Sequence, residues 1–231
     1  MSLNLKQLKK EQLELSKKLV LFDSFEKSKI RKIAACDIAY YKNIIIVSFV
    51  VLDPDCSVIE KSYSESKIKL PYIPEFLSYR ETPVIVNAYS KLKSDPDIVI
   101  IRRNGILHPR KMGVASHFGL LIDKPVIGIS KDHAPGNLDN GTVYINKEAT
   151  AKMLVTKEKA KPIFVSPGHK ISLKTAVEIV KTMLKGHKMP EPLHIAHKFA
   201  VKVKHIKKKQ ENNYIKSREN IKAKENVPAG I

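Results

Sequence analysis

Two cysteines, Cys36 and Cys56, are all that the 231-residue chain carries, and they form no CxxC pair. That excludes a disulfide scaffold and a structural zinc cluster. No apolar run approaches the ~20 residues that a membrane-spanning helix needs, so no membrane partner is expected. The opening stretch, MSLNLKQLKKEQLELSKK, is charged where a secretion signal is apolar. A cytoplasmic location is therefore expected. No segment repeats another. Acid is scarce: 23 Asp and Glu stand against 42 Lys and Arg, a formal charge of +19. An excess of this kind is the electrostatic footprint of a nucleic-acid binder, although Lys-rich surfaces also occur in proteins from hot habitats without one.

What is present supports a packed domain. The apolar content of 43% is too high for a disordered chain, and the length suits one compact domain with a small extension. Over residues 3–22, Leu5, Leu8, Leu13, Leu15, Leu19 and Val20 follow near-helical spacing against a Lys/Glu face. Ile33–Asp37 reads as a short strand ending on a carboxylate. Ile44–Leu52 (IIIVSFVVL) is a β-branched run that reads as a strand buried on both faces. A turn at Asp53-Pro54-Asp55 leads to a third strand of a meander over Val58–Lys69. A helix is expected from Pro74 to about Leu92, broken or kinked at Pro83. Asp97–Ile101, Pro125–Ser130 and Ile163–Val165 read as buried strands. A helix of about 13 residues is expected from Pro109, another from Ser172 towards a stop at Gly186, and a last one from about Pro192 to Val203. Strands followed by strand–helix alternation indicate an α/β sheet of mixed direction. Residues 198–231 hold ten Lys and Arg against three Glu, a net of +7. They read as a frayed helix passing into a disordered basic tail, which sets the expected boundary between residues 1–204 and 205–231.

Chemistry in open α/β sheets gathers at strand C-terminal edges. Asp37 ends one apolar strand and offers the oxygen ligand that a hard cation wants, although a simple cap would look the same. His108-Pro109-Arg110-Lys111 follows a second strand and opens the expected helix, where anions collect. Lys131 follows a third strand on the same edge and could hold a phosphate or steady a leaving oxygen.

The order and wording of the motifs then identify the chain as resembling the endonuclease V family, the deoxyinosine 3′ endonucleases of DNA repair. The matching stretches are Ala35–Tyr40 (ACDIAY), Pro71–Glu81 (PYIPEFLSYRE) and Asn104–Gly119 (NGILHPRKMGVASHFG). Gly128–Lys131 (GISK) and Ser166–Ser172 (SPGHKIS) complete them. The resemblance covers about residues 5–204. It implies a ribonuclease H-like mixed sheet flanked by helices. It also implies cleavage of the second phosphodiester 3′ of deoxyinosine with Mg²⁺ or Mn²⁺. Asp37 and Glu81 match the family's metal carboxylates, and His108, Lys131 and His197 match its catalytic positions. Pro71, Tyr72, Ile73 and Pro74 match the wedge that pries the strands apart. Leu77, Gly113 and Val114 match the groups that read the flipped base. The partner implied is DNA containing deoxyinosine, bound by a monomer; RNA stays open, since one 2′-OH contact can decide it. Elementary physics agrees on the wedge. Reaching one base inside a duplex requires extrusion, and two prolines stiffen an apolar-aromatic insert. His117 and His169 read as structural, hydrogen-bonding histidines.

One departure bears on the chemistry. In the family the strand before the HPR loop ends Asp-Gly-x-Gly, and that Asp is the third metal carboxylate. Here Arg102 stands at the Asp and Arg103 at the first Gly. The change from −1 to +1 is two units of charge, each worth about 3–4 kcal/mol at 4–6 Å and an effective dielectric near 20. Asp132 is the one candidate stand-in. Arg102 is expected to pair with Asp37 or Glu81 and to exclude the cation. That leaves two function classes: a metal-dependent endonuclease with a rebuilt centre, and a nucleic-acid or lesion-binding module without catalysis.

Overall fold

A computed structural model describes residues 4–132 and 136–225. Nine strands form one mixed sheet in the order β3-β2-β1-β4-β5-β9-β8-β7-β6. The meander is β1 (Ile33–Tyr41), β2 (Ile44–Leu52) and β3 (Val58–Lys67), all antiparallel. β4 (Ile98–Ile101) and β5 (Val126–Ser130) lie parallel to β1. An antiparallel meander continued by two parallel strands is the ribonuclease H-like arrangement that the resemblance implies. β9 (Ile163–His169) runs antiparallel to β5 and carries a ribbon of β8 (Glu148–Leu154), β7 (Thr142–Ile145) and β6 (Asn137–Asp139).

Both faces of the sheet centre are covered, which is why its strands are apolar almost throughout. Ile33, Ala35, Ile98, Ile100, Ile127 and Ile129 pack under α4 (Leu173–Thr182) and α5 (Glu191–Glu225). Ala34, Cys36, Val99, Ile101 and Phe49 pack under α2 (Leu77–Tyr89) and α3 (Val114–Ile122). Asp37 takes the next position on the α5 side of β1, where the apolar pattern stops. The N-terminal helix α1 (Leu5–Ser16) inserts Gln12, fully buried, behind the Pro74–Phe76 turn that leads into α2. There Gln12 Nε2 donates to the Glu75 carbonyl at 2.9 Å.

Several boundaries differ from expectation. α2 runs through Pro83 without a break, because the proline sits on the exposed outer side and removes a single helix bond. α3 starts at Val114 rather than Pro109. Residues 109–112 instead form a loop tied back by Gly113 N–H to the Gly105 carbonyl (3.2 Å) and Ala115 N–H to the Asn104 carbonyl (3.0 Å). A Cβ on Gly113 would sit 2.3 Å from the Asn104 oxygen, so this approach needs glycine. α4 ends at Thr182, short of Gly186.

The last helix does not stop at Val203. It continues to Glu225, past the expected boundary at 204 and through much of the segment expected to be disordered. No proline or glycine interrupts 193–225, and the helix is tied to the meander. Lys207 pairs with Glu65 at 2.5 Å, while Tyr41 and Lys42 bond Glu211 at 2.7 and 2.5 Å. Among the described residues no helix is long and apolar enough to cross a membrane.

Candidate functional site

β4 ends at Ile101, opposite Cys36, so Asp37 is the first β1 residue past the end of its parallel neighbour. Against expectation, β1 itself does not end on this carboxylate but runs on to Tyr41, held by β2, and α2 brings Glu81 to the same place. Asp37 and Glu81 are each 1% exposed. Two buried carboxylates at one edge need counter-charge. The chain supplies it from the residues that follow β4, where Arg102 N–H continues the ladder to the Cys36 carbonyl at 3.1 Å. Arg102 Nε lies 2.5 Å from Asp37 Oδ1, a charge contact out of hydrogen-bond alignment. His197 Nδ1, from α5, is 2.7 Å from Asp37 Oδ2. Arg103 grips Glu81 with both prongs, Nε to Oε2 at 2.7 Å and Nη2 to Oε1 at 3.0 Å. The Tyr40 hydroxyl donates to Oε1 as well. Burial, and after it the Glu81 charge, push that hydroxyl's pKa up to about 12, so it remains a donor. Burial works against the charge on Arg103, but Glu81 outweighs it and the guanidinium pKa is raised. Each of the four carboxylate oxygens thus faces a group of this chain.

The fork–fork pair at Glu81 is the contact that the sequence did not reveal. Arg102 was expected to meet either carboxylate; it meets Asp37, and Arg103 takes the other. Asp132 does not complete the set. It is exposed at the end of β5, and among the described residues no three His, Cys, Asp or Glu side chains are placed to share an ion. A Mg²⁺ or Mn²⁺ centre needs carboxylate oxygens free to ligate. The residues present do not fit one.

Beside this centre lies a cleft of about 470 Å³. Its lining includes the apolar or aromatic Tyr72, Pro74, Leu77, Met112 and Val114 with Gly113, and the polar or charged Tyr40, Glu81, Arg102, Arg103, Lys131 and Asp132. The sequence-designated wedge, base-reading groups and Lys131 therefore converge. Pro71 and Ile73, the chain neighbours of Tyr72, do not line the cleft, and neither do Asp37 and His197. Tyr72 is 65% exposed. Its ring lies 5.9 Å from the Arg80 guanidinium, which also stands 5.3 Å from the Tyr40 ring. Arg80 Nη1 donates to the Leu70 carbonyl at 2.6 Å. Arg80, which the sequence reading passed over, thus braces the 70–74 loop from below; its only signal was its place one residue before Glu81.

The His108-Pro109-Arg110-Lys111 stretch is used differently from expectation. It precedes α3 by a loop, so its cations are not at a helix start. Arg110 reaches Gln12 Oε1 (2.6 Å) and Glu75 Oε2 (2.7 Å), and Lys111 pairs with Glu148. His108 is buried. Its Nδ1 accepts from the Arg110 and Met112 amides at 3.2 and 3.3 Å, which leaves Nε2–H to donate to the Glu75 carbonyl at 3.1 Å. Burial, aided by the Arg110 charge, lowers its pKa to about 4. A neutral ring with both nitrogens on backbone positions the loop. His169 accepts from the Val20 amide and faces Asp123, as a hydrogen-bonding histidine; His117 instead packs edge-on against Tyr79, and its buried Nδ1 has no hydrogen-bond partner among the described residues.

A ribonuclease H-like sheet with two carboxylates at its central edge and a partly basic cleft beside them is the framework of the ribonuclease H-like nucleases. The endonuclease V profile matches residues 13–198. Endonuclease V of Thermofilum pendens is 37% identical over 204 residues, covering 85% of this chain and 88% of that one. Endonuclease V of Dictyoglomus thermophilum is 37% identical over 202 residues, covering 83% and 87%. The Bacillus subtilis endonuclease V crystal structure superposes with a TM-score of 0.83 at 27% identity, covering 90% of this chain and 95% of that one. Ciona intestinalis endonuclease V, solved with a 24-mer DNA containing an inosine followed by a ribo-adenosine, gives 0.78 at 28% identity, covering 88% and 98%. The chain belongs to the endonuclease V family.

Proposed function

We propose that this chain recognises deoxyinosine in DNA and holds the lesion without hydrolysing it. The observation that carries the reading is the cleft, whose lining brings together an exposed loop tyrosine, apolar side chains and a lysine. Tyr72 fills the gap left by an extruded base, with Pro71, Ile73 and Pro74 limiting the loop's freedom. Leu77, Gly113 and Val114 receive the base, and the bare backbone of Gly113 lets it come close. Lys131 meets a flanking phosphate.

The other reading, cleavage of the second phosphodiester 3′ of the lesion with Mg²⁺ or Mn²⁺, has the family membership behind it. Against it stand Arg102 on Asp37 and Arg103 on Glu81. The test is fluorescence anisotropy with deoxyinosine, undamaged and inosine-RNA oligonucleotides. Deoxyinosine DNA should bind most tightly, and Tyr72→Ala should lose ~1–3 kcal/mol of that preference, the usual worth of base–aromatic stacking. Equal affinity of the wild type for damaged and undamaged DNA would reject the proposal, and tighter binding of RNA would change the substrate class.

A further inference from the structure

We infer that the centre where β4 ends beside Asp37 of β1 receives a nucleic-acid phosphodiester through built-in guanidinium groups, so that binding needs no divalent cation. The inference takes its ligand class from the proposal above. Two buried carboxylates alone would repel a phosphodiester, and such an edge would need bound cations before nucleic acid could approach. Here Arg102 and Arg103 cancel the charges of Asp37 and Glu81 one for one. Lys131 and Asp132, of opposite charge, line the same cleft, so the donors at the centre itself are the two arginines. The arginine side chains are not sealed in. They are 19% and 22% exposed and line the cleft together. Arg103 spends Nε and Nη2 on Glu81 and Nη1 on the Arg102 carbonyl. Arg102 uses Nε towards Asp37, and its two Nη nitrogens make no hydrogen bond among the described residues. A guanidinium with its outer edge open at a cleft wall is a phosphate donor of the right geometry.

The two pairs also act separately. Replacing Arg102 alone leaves Glu81 held by Arg103 and Tyr40, so a metal centre requires both positions to change.

Two measurements on the intact chain test this. The first is the affinity for fluorescein-labelled deoxyinosine and undamaged duplexes, compared in EDTA, Mg²⁺ and Mn²⁺ at matched ionic strength. The wild-type dissociation constant should stay within about twofold across all three. The second is Mn²⁺ titration followed by electron paramagnetic resonance, without DNA. The wild type and Arg102→Asp should show no stoichiometric tight site. The Arg102→Asp/Arg103→Gly double variant should show one, with DNA affinity that falls at least tenfold in EDTA. A wild type that loses its DNA in EDTA and regains it with Mn²⁺ overturns the inference. So does a stoichiometric wild-type Mn²⁺ site that disappears in Glu81→Gln. Should the wild type bind both duplexes alike, the lesion reading fails, while metal-independent affinity on either duplex still supports this one.

Discussion

The residue with the clearest pH dependence is His108, buried in the loop before α3. Its pKa falls from an ordinary 6.5 to about 4, with burial first among the causes. The unfolded chain therefore takes up a proton near 6.5 that the folded chain refuses until about 4. The neutral ring's contribution is fully present above 6.5 and is lost as pH falls through that window, an effect of up to about 3 kcal/mol. Urea unfolding at pH 7.5 and 4.5 should show this loss in the wild type. His108→Asn, which keeps an acceptor near the position of Nδ1, should be less stable at pH 7.5 but show a smaller drop. Equal drops in the two proteins would mean that His108 is not held neutral. The residue is legible in the sequence as part of HPRKMG. Its two amide contacts are not, because they depend on how the loop folds back over Asn104 and Gly105.

At the scale of elements, the long helix α5 joins the centre to the outside. His197 near its start touches Asp37, Lys207 and Glu211 reach the meander, and the helix then runs on to Glu225. The contacts beyond residue 204 are partly exposed, and Val203 is the last buried side chain among the described residues. Removing 205–231 should therefore leave the melting temperature within a few degrees of the full chain, since surface pairs contribute little. It should lower the slope of log Kd against log salt, because cationic contacts to phosphate set that slope. An unchanged slope would mean that this helix does not touch nucleic acid. Element boundaries were legible where burial alone decides them: β2 runs over Ile44–Leu52 as its β-branched pattern indicates. They were not legible where distant partners decide. The start of α3 depends on Gly113 meeting Gly105. The β6–β8 ribbon was overlooked, although Asn140-Gly141, both at positive φ, marks a two-residue hairpin turn.

For the whole molecule, the family's fold is retained while the carboxylates of the centre are neutralised by the chain's own arginines. The resemblance assigns roles to Asp37, Glu81, Tyr72, Leu77, Gly113, Val114 and Lys131; all but Asp37 line one cleft, and Asp37 meets that lining through Arg102. The role of Arg103 escaped that reading because its counterpart is a glycine, which has no side chain whose contacts could be carried over. The net charge of +19 supplies long-range attraction to nucleic acid whether or not hydrolysis follows. Attraction and cleavage are thus separable in this chain. The most direct measurement is single-turnover nicking of an end-labelled deoxyinosine duplex. Protein is held in excess and above Kd, with Mg²⁺ or Mn²⁺ present. The duplex should be fully bound and uncut after hours. Accumulation of a product cut at the second phosphodiester 3′ of the lesion would contradict the account and return the chain to the metal-dependent endonucleases.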